Sequence, residues 1–493
     1  ATVMGVLLLM GLLLERDVNP MNSLALAALV IFIWRPGDLW APGFQLSFAA
    51  TLGILFLAPP ATRFLEEKGW PRWLAASVAV SLGAQAAVTP IMLSHFNQLS
   101  IVGVAANLAV VPLAGIATTL GFAALLLSLV SHVLSQLLFE NLWGILLLLR
   151  WSVRLFAGLP AAMIHLPAPH WTTSLGFFAV LALLPFLRRH RVIQATTALL
   201  ASAVVAASVW PWIAPSDGRL RVTFFDVGQG DAAFVELPNG ARILIDVGPG
   251  GERRFDVGER VIAPFLWNRA VGQLDVVAVS HFDPDHAGGL AAILRRFRVK
   301  EFWGTGIRAP DGAELLPSLD RSGTVRRRLK LGERIWIGHT PLTVLHPPDP
   351  PLQRSPRGAA SDENNNSLVL RLDWGLASFL FTGDLEQEGE GALLAGRQPL
   401  SHLVLKVAHH GSRFSTTEEF LKAGRPRLAV ISAGARNPFR HPTPDVIERL
   451  ENAGVRIFRT DRDGAVIVET DGRTLAVTPW ASRRTERFTL ELE

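Results

Sequence analysis

The sequence predicts a two-domain protein, in which a polytopic α-helical membrane domain precedes a globular domain built on β-sheets. The 493 residues are 49% hydrophobic and have a mean hydropathy of +0.32, which is too apolar for an average soluble protein. Residues 1–213 carry 10 Lys and Arg and 6 Asp and Glu, whereas residues 214–493 carry 37 and 36. We therefore predict a membrane domain at 1–213, a linker at 214–219 and a globular domain at 220–493.

The membrane domain is predicted from a series of apolar runs, several of which reach the roughly 20 residues that a spanning helix needs. The runs lie at about 2–14, 21–34, 43–60, 73–93, 101–130, 136–157, 173–187 and 193–213. The first two are short, and we expect them to be re-entrant or truncated. Because the chain begins inside an apolar run without an initiating Met, we expect it to be a fragment of a longer protein.

The charges of the connecting links predict an orientation. Links 61–72 and 188–191 each contain three Lys or Arg, and the alternating links 94–100 and 158–172 contain none. The positive-inside rule places the first pair in the cytoplasm, and hence the globular domain on the non-cytoplasmic side of the membrane. Arg150 and Arg154, near an outer end, oppose this assignment.

Amide side chains and prolines are concentrated between residues 45 and 112, within the predicted spans. Gln45, Gln85 and Asn107 are the amides that we consider candidates for a transport path. For each one, ordinary hydrogen bonding between helices is the simpler interpretation. Their concentration around the polar link 95–100 nevertheless favours a path.

The composition also excludes some classes of site. The absence of Cys excludes disulfides and thiolate zinc sites. Although the calculated pI is about 10.3, the globular half is nearly neutral, so any binding of nucleic acid there must come from local basic patches.

Short β-rich runs of the globular half predict strands at about 221–226, 232–237, 241–246, 276–280, 367–372, 377–381, 402–407, 429–431 and 465–469. Helical runs lie between them, for example at 285–297, 415–423 and 444–453.

Four clusters of polar residues follow the predicted strands. The first cluster consists of FDVGQGD (225–231) and ILIDVG (243–248). The second, third and fourth are SHFDPDHAGG (280–289), FTGD (381–384) and KVAHHGS (406–412). Each cluster alone is a weak signal, since TGD is usually a turn, but the ordered set is hard to obtain by chance. Strands that end in such loops predict a sheet with a site along one edge.

The second cluster predicts a metal site. A strand ending at Ser280 and turning at Asp283 would direct His281 and Asp283 to one point, with Asp285 and His286 beside them. Two such pairs suit two metal ions, which together stabilise the attacking and leaving oxygens of a phosphoester displacement.

Residues of the other clusters would complete the site. Asp384 would bridge the two ions, and a histidine of the fourth cluster would complete one shell. Asp246 is expected to support the ligands by hydrogen bonding. We assign the isolated residues His339, His346 and His402 to solvent or to the core.

The order of these motifs resembles the metallo-β-lactamase superfamily, whose αββα fold carries a dinuclear site. With NNNS (364–367) and NPFRHP (437–442), they more narrowly resemble the C-terminal domain of ComEC-type competence proteins. GFQLSF (43–48), the segment 85–90 and ANLAVVP (106–112) look like that family's DNA-channel domain. The resemblance implies that the chain lacks the family's N-terminal portion with its inserted OB-like domain.

The resemblance also implies roles for individual residues. The implied metal ligands are His281, Asp283, Asp285, His286, Asp384 and one of His409 or His410. The implied catalytic residues are Asp285 and His441, and the implied supporting residues are Asp226, Asp231, Asp246, Asn364 and Asn365. The superfamily's further histidine has no equivalent in a suitable motif here, and Asn364 and Asn365 occupy its likely region. We expect this site to hold two divalent ions. Because Asp283 replaces a superfamily histidine with a carboxylate, Mn²⁺ or Mg²⁺ is favoured and Zn²⁺ is left open.

The function implied by the resemblance is DNA uptake in natural transformation. One strand would cross the membrane, and the metal site would hydrolyse the other. Arg295, Arg296 and Arg298 are candidates for guiding the DNA backbone, with a solvated surface as the alternative. Two other functions stay open, namely a membrane-tethered hydrolase of another phosphoester and a channel with a non-catalytic DNA-binding domain. Because the chain has no P-loop, a separate ATPase is an expected partner, and the oligomeric state is left open.

Overall fold

The computed structural model describes residues 5–6, 19–187, 190–251, 255–306, 319, 323–352, 359–396 and 398–491. The chain forms two compact units, Ala1–Ala214 with Trp267–Ala270 and Pro215–Leu266 with Val271–Glu493. Most of the predicted apolar run at 2–14 and the basic pair at 188–189 lie outside the described residues.

The first unit is helical. Its helices are α1 (Pro20–Trp34), α2 (Pro42–Glu67), α3 (Arg72–Phe96), α4 (Gly103–Ser128), α5 (His132–Ala157), α6 (Trp171–Leu183) and α7 (Arg191–Ile213). Helices α2, α3, α4, α5 and α7 are, among the described residues, long and apolar enough to cross a membrane. A short antiparallel pair, β1 (Gln98–Ser100) with β2 (Met163–His165), joins two of the loops, and the sequence did not indicate it.

Glycines bring α2 and α3 into close contact. A Cβ atom built on Gly83 would lie 2.8 Å from the carbonyl oxygen of Gly53, so neither position has space for a side chain. Small residues at such contacts let helix backbones approach in membranes, where apolar side chains gain little by leaving lipid.

Replacing Gly83 with leucine is expected to lower the stability of the first unit by about 1–3 kcal/mol, because the obstructing atom belongs to a backbone that cannot rotate away. The measurement is thermal unfolding of the detergent-solubilised chain. Gly115→Leu in α4 is the matched control, since no atom lies within 4 Å of a Cβ built there. Equal melting temperatures for the two variants would contradict the proposed contact.

The second unit contains two sheets. Among the described residues, the larger has nine strands in the order β18-β17-β16-β3-β4-β5-β6-β7-β8. These strands are β3 (Leu220–Phe224), β4 (Ala232–Glu236), β5 (Arg242–Val247), β6 (Gln273–Ala278), β7 (Arg298–Gly304), β8 (Val325–Arg328), β16 (Val466–Thr470), β17 (Thr474–Pro479) and β18 (Glu486–Thr489). Strands β5 to β8 are parallel, so their carboxyl ends lie at one edge.

The smaller sheet has seven strands within the described ranges, in the order β15-β14-β13-β12-β11-β10-β9. They are β9 (Arg334–Ile337), β10 (Thr340–His346), β11 (Val369–Trp374), β12 (Ala377–Phe381), β13 (Val404–Lys406), β14 (Leu428–Ile431) and β15 (Arg456–Arg459). Strands β12 to β15 are parallel. The sequence did not indicate β7 to β10, β15, β17 or β18. The edge strand β8 (VRRR) is charged and has no apolar alternation that would indicate it.

The core lies between the two sheets. It includes buried residues from both, such as Phe224 of β3 and Phe381 of β12, whose ring centroids are 6.0 Å apart. The helices of this unit are α8 (Ala263–Asn268), α9 (Pro284–Ala287), α10 (Leu290–Arg296), α11 (Ala359–Asn364), α12 (Gln387–Ala395), α13 (Glu418–Gly424), α14 (Pro444–Asn452) and α15 (Thr460–Asp463). Apolar residues of α12, α13 and α14 cover the outer face of the smaller sheet, while Phe265 of α8 packs on Phe234 of the larger. This is the predicted αββα arrangement.

The predicted continuous helix at 285–297 is wrong, since α9 and α10 are separated at Gly288 and Gly289. Both glycines pack directly against other backbone, Gly288 against Gly250 and Gly289 against Gly258, where a Cβ atom would clash. The loop that follows β5 therefore fits closely against the segment after β6, and this contact positions the residues of SHFDPDHAGG.

Candidate metal centre

The site lies at the carboxyl ends of the parallel strands of both sheets. His281 to His286 follow β6, Asp384 follows β12, and His409 and His410 follow β13. Four of these side chains form a close group, since ligand atoms of Asp285, His286, Asp384 and His410 all lie within 4.8 Å of one another. The fold therefore brings together motifs that are far apart in the sequence.

Asp246 orients the first histidine of this group. Its carboxylate accepts hydrogen bonds from the Ser280 backbone N–H (2.7 Å) and the Ser280 hydroxyl (2.9 Å), and its Oδ2 lies 2.9 Å from His286 Nδ1. The other ring nitrogen of His286 then faces Asp384, with Nε2 3.1 Å from Oδ1. This carboxylate–imidazole contact is the kind of outer contact that fixes a ligand's orientation.

His410 is oriented by contacts of its Nδ1 atom, as His286 is. Its Nδ1 lies 3.1 Å from the Ser432 carbonyl oxygen and 3.3 Å from Asp231 Oδ1. Its Nε2 lies 3.3 Å from Asp285 Oδ2 and 3.4 Å from Asp384 Oδ2. The two oxygens of Asp384 are therefore directed at two different imidazoles.

The remaining predicted ligands lie beside this group. His281 Nε2 is 3.5 Å from Asp283 Oδ2, and His409 Nε2 is 3.6 Å from Asp384 Oδ2. His409 Nδ1 also lies 3.2 Å from Glu386 Oε1, a residue that we did not single out from the sequence. His410 is buried within the close group, while His409 is less buried.

The charges in the site are strongly coupled. Burial would lower the pKa of His286, but Asp384 and Asp246 outweigh it and raise that pKa well above its ordinary value. Burial would likewise raise the pKa of Asp384, yet the neighbouring imidazoles of His410 and His286 hold it well below the usual range. Imidazoles must be neutral to bind a metal, so an ion bound here would take over the role of balancing the carboxylate charges.

The donor atoms fit divalent ions. His281 Nε2, His286 Nε2 and His410 Nε2 are buried, and each faces a carboxylate oxygen at 3.1–3.5 Å without the geometry of a well-formed hydrogen bond in the described structure. Buried polar atoms are normally satisfied, so several unsatisfied ligand atoms in one place indicate an ion at that place. Imidazole nitrogens with carboxylate oxygens suit first-row divalent metals.

Lys406 begins the fourth cluster, but no role was assigned to it from the sequence. Its ammonium is buried and donates to Asp231 Oδ2 at 2.6 Å and to the Val407 carbonyl at 3.0 Å. Burial would raise the pKa of Asp231, but Lys406 and His410 outweigh it and lower that pKa below its ordinary range. The signal was available, because a lysine within the apolar strand VLK is rarely buried without a partner.

The other predicted supporting residues lie in different surroundings. Asp226 is exposed, and its carboxylate accepts from the Gly228 N–H at 3.4 Å. Asn365 is buried, with its amide oxygen accepting from the Gly389 N–H at 2.8 Å, while the buried amide oxygen of Asn364 has no hydrogen-bond partner in the described structure. His441 lies next to His409, with ring centroids 5.6 Å apart.

Of the candidate DNA-guiding residues, Arg295 and Arg298 are exposed, whereas Arg296 forms a bidentate ion pair with Glu259. In the first unit, Gln45 Oε1 lies 2.9 Å from His95 Nε2, and Gln85 Nε2 donates to the Ser100 carbonyl oxygen at 2.6 Å. Asn107 is exposed on α4. For Gln45 and Gln85, these contacts agree with the simpler interpretation of ordinary hydrogen bonding.

Two histidines outside the centre predict a pH dependence. Burial lowers the pKa of both His346 and His402 to about 4. The unfolded chain, with an ordinary histidine pKa of about 6.5, therefore binds protons first as the pH falls. The stability from each neutral histidine is complete above pH 6.5 and is lost between pH 6.5 and 4, by up to about 3 kcal/mol.

The expected result is that His402→Gln flattens the fall in melting temperature between pH 7.5 and 4.5, although it also lowers stability at every pH. His339→Gln, at an exposed position, is the control and should keep the wild-type pH profile. An unchanged slope in His402→Gln would count against a buried neutral imidazole.

Comparison with known proteins assigns both halves of the chain. Residues 1–191 match the family described as Competence protein, and residues 225–435 match the Metallo-beta-lactamase superfamily. The chain is 32% identical over 489 residues to ComE operon protein 3 of Bacillus subtilis, covering 94% of this chain and 60% of that protein. It is 26% identical over 449 residues to Recombination protein 2 of Haemophilus influenzae, covering 84% of this chain and 53% of that protein. The chain therefore spans between about half and three fifths of these relatives.

Solved structures align with the second half. The metallo-beta-lactamase fold protein YhfI of Bacillus subtilis aligns with 51% of this chain and 99% of its own, at 11% identity and a TM-score of 0.35. A diphosphatase from the PhnP family aligns with 55% of this chain and 100% of its own, at 13% identity and a TM-score of 0.32.

Proposed function

Because the chain has the two-domain architecture of ComEC-type competence proteins, we propose that it conducts single-stranded DNA across a bacterial inner membrane while its metal centre hydrolyses the other strand. The observation that carries the hydrolase part is the convergence of the buried imidazole nitrogens of His286 and His410 on the carboxylate of Asp384. Five apolar helices among the described residues support the membrane part. In this proposal the membrane domain is 1–213, the linker 214–219 and the hydrolase domain 220–493, on the non-cytoplasmic side.

The proposed ligands of one ion are Asp285, His286, Asp384 and His410, and those of a second include His281 and Asp283. Divalent ions held there supply Lewis-acid activation of water and neutralisation of the phosphate charge. Because carboxylates make up half of the close group, Mn²⁺ or Mg²⁺ is favoured over Zn²⁺.

The chain's own residues position and move protons in this proposal. Asp246 and Asp231 hold the imidazoles of His286 and His410, so that the nitrogens facing Asp384 keep their direction. Burial and the nearby His409 lower the pKa of His441 to about 4, so its imidazole is neutral at pH 7. A neutral imidazole can both accept a proton and donate its N–H, which suits contact with a leaving oxygen.

Few residues are proposed to contact DNA. Arg295 and Arg298 remain candidates for the phosphate backbone, while the charge of Arg296 is balanced by Glu259. Gln45, Gln85 and Asn107 are proposed for the membrane path, where Asn107 is exposed rather than bonded to a neighbouring helix. A separate ATPase is the proposed energy source.

The experiment uses the full chain in detergent with duplex DNA that carries a different label on each strand. We expect cleavage that depends on an added divalent ion and is strongest with Mn²⁺ or Mg²⁺. The hydrolase proposal fails if neither Mn²⁺, Mg²⁺ nor Zn²⁺ supports cleavage. Hydrolysis of a simple phosphodiester without cleavage of DNA would instead favour a hydrolase of another phosphoester.

A further inference from the structure

An exposed aromatic ring lies beside the metal centre. His441 is next to His409, with ring centroids 5.6 Å apart, and Phe439 is stacked on His441 with centroids 5.8 Å apart and an angle of 26° between the rings. Phe439 is nevertheless 63% exposed, so most of its ring faces solvent. A series of three rings therefore leads from the centre to an open aromatic surface.

The segment that carries Phe439 is held in place by hydrogen bonds. Asn437 Nδ2 donates to the His441 carbonyl oxygen at 2.7 Å, and Asn437 Oδ1 accepts from the His441 N–H at 2.9 Å. The Thr443 N–H then donates to the Gly411 carbonyl oxygen at 2.9 Å. The backbone on both sides of the exposed ring is thus tied down, and its far end is bonded to the segment that follows the histidines after β13.

The two segments that meet here are basic. They are 411–417, after β13, and 432–444, after β14, and a Cβ atom built on Gly411 would lie 2.5 Å from Pro442 Cβ. Neither segment contains Asp or Glu. Their exposed arginines are Arg413, Arg436 and Arg440. A single exposed aromatic residue is ordinary on a protein surface, but an aromatic ring among cations is the usual surface for single-stranded nucleic acid.

We propose that Phe439 stacks on a nucleobase of the DNA strand that the metal centre hydrolyses. This inference rests on the proposed function and adds a substrate contact to it. The arginines of the two segments attract the phosphates on either side of that base. A base inside a duplex already has neighbours on both faces, so the stacked base belongs to a strand end or to a single strand. Because every base has an aromatic face, the contact does not select a sequence.

The first test locates the base on the full chain in detergent. It uses a single-stranded oligonucleotide that carries 5-iodouracil, a base analogue that bonds covalently to a contacting aromatic side chain under ultraviolet light. The mixture contains EDTA, so that no strand is cleaved. Mass spectrometry of the peptides is expected to find an adduct at Phe439, and Phe439→Leu should remove the adduct from the segment 432–444.

The second test measures the kinetics of DNA cleavage with the added divalent ion. Stacking of one base typically changes affinity by about 5–150-fold, so Phe439→Leu should raise the KM for oligothymidylate by about that factor. The kcat should change little, because the stack is made equally in the ground state and the transition state. Phe439→Trp keeps an aromatic face and should keep a KM close to that of wild type.

An oligomer without bases separates stacking from packing. In wild type, an oligomer of the same length with abasic sugars should show the raised KM, and Phe439→Leu should raise it no further. Trp336→Leu is the matched control and should keep the wild-type KM for oligothymidylate. Trp336 is 57% exposed and lies over Arg334, but it belongs to the edge strand β9 of the smaller sheet.

The outcomes distinguish this inference from the proposed function. Metal-dependent cleavage with an unchanged KM in Phe439→Leu, or without an adduct at Phe439, overturns the stack and leaves the hydrolase standing. The stack is also overturned if Phe439→Trp is as impaired as Phe439→Leu, or if Phe439→Leu raises the KM equally for both oligomers. An adduct at Phe439 in a chain that no divalent ion activates supports the stack as a DNA contact and overturns the hydrolase.

Discussion

Replacing Asp384 with alanine is expected to reduce metal-dependent cleavage of DNA by about 10³-fold or more and to remove metal from the protein. Both carboxylate oxygens face imidazoles of the centre, Oδ1 that of His286 at 3.1 Å and Oδ2 that of His410 at 3.4 Å. Metal assistance contributes several kcal/mol to such reactions, and each 1.4 kcal/mol is about tenfold in rate. The measurement pairs the rate of strand cleavage with the metal content of the purified chain.

Asp384→Asn tests whether the negative charge of the side chain is needed, because it keeps the size of the side chain and one of its oxygens. It should bind metal more weakly than wild type and cleave more slowly, while folding normally. Glu418→Ala is the control, since its carboxylate is exposed and paired only with Lys422 among its described contacts. A rate for Asp384→Ala within about tenfold of wild type would show that this carboxylate does not hold the ions.

Replacing Lys406 with methionine is expected to destabilise the second unit by about 3–5 kcal/mol, since breaking a buried ion pair leaves one charge without its partner. The ammonium lies 2.6 Å from Asp231 Oδ2, and both side chains are at most 6% exposed. For a unit of this size, the melting temperature should fall by roughly 6–20 °C. The measurement is thermal unfolding followed by intrinsic tryptophan fluorescence.

An exposed lysine provides the control for that prediction. Lys422 forms an ion pair with Glu418 on the surface of α13, with side chains 74% and 65% exposed. Lys422→Met should change stability by less than about 0.5 kcal/mol. Adding Asp231→Asn to Lys406→Met should recover part of the loss, because it removes the buried charge that was left unpaired. No recovery in the double variant would argue that methionine disturbs packing instead.

The sequence predicted most of the side chains that the structure brings together, because they lie in short motifs that follow strands. In a parallel sheet those strand ends meet at one edge, so motif order predicted that His286, Asp384 and one of His409 or His410 would come together. The same logic did not reveal Lys406, because a lone lysine carries no spacing pattern. Its partner, Asp231, lies on a distant segment of the chain.

Edge strands and close backbone contacts were the parts that could not be predicted. The charged strand β8 has no apolar alternation, since its pairing depends on hydrogen bonds to β7 rather than on burial. The division of one predicted helix at Gly288 and Gly289 follows from the packing of those glycines against another loop, which periodicity does not report.

The pairing of β3 with β16 has a consequence for synthesis on the ribosome. Strand β3 opens the second unit, yet one of its two neighbours in the larger sheet is β16, which begins only at Val466. Chains emerge at about 5–20 residues per second, so one edge of β3 waits unpaired until β16 has been made. The β3–β16 pairing therefore forms only after β6, β12 and β13, the strands that precede the candidate metal ligands, have all been made.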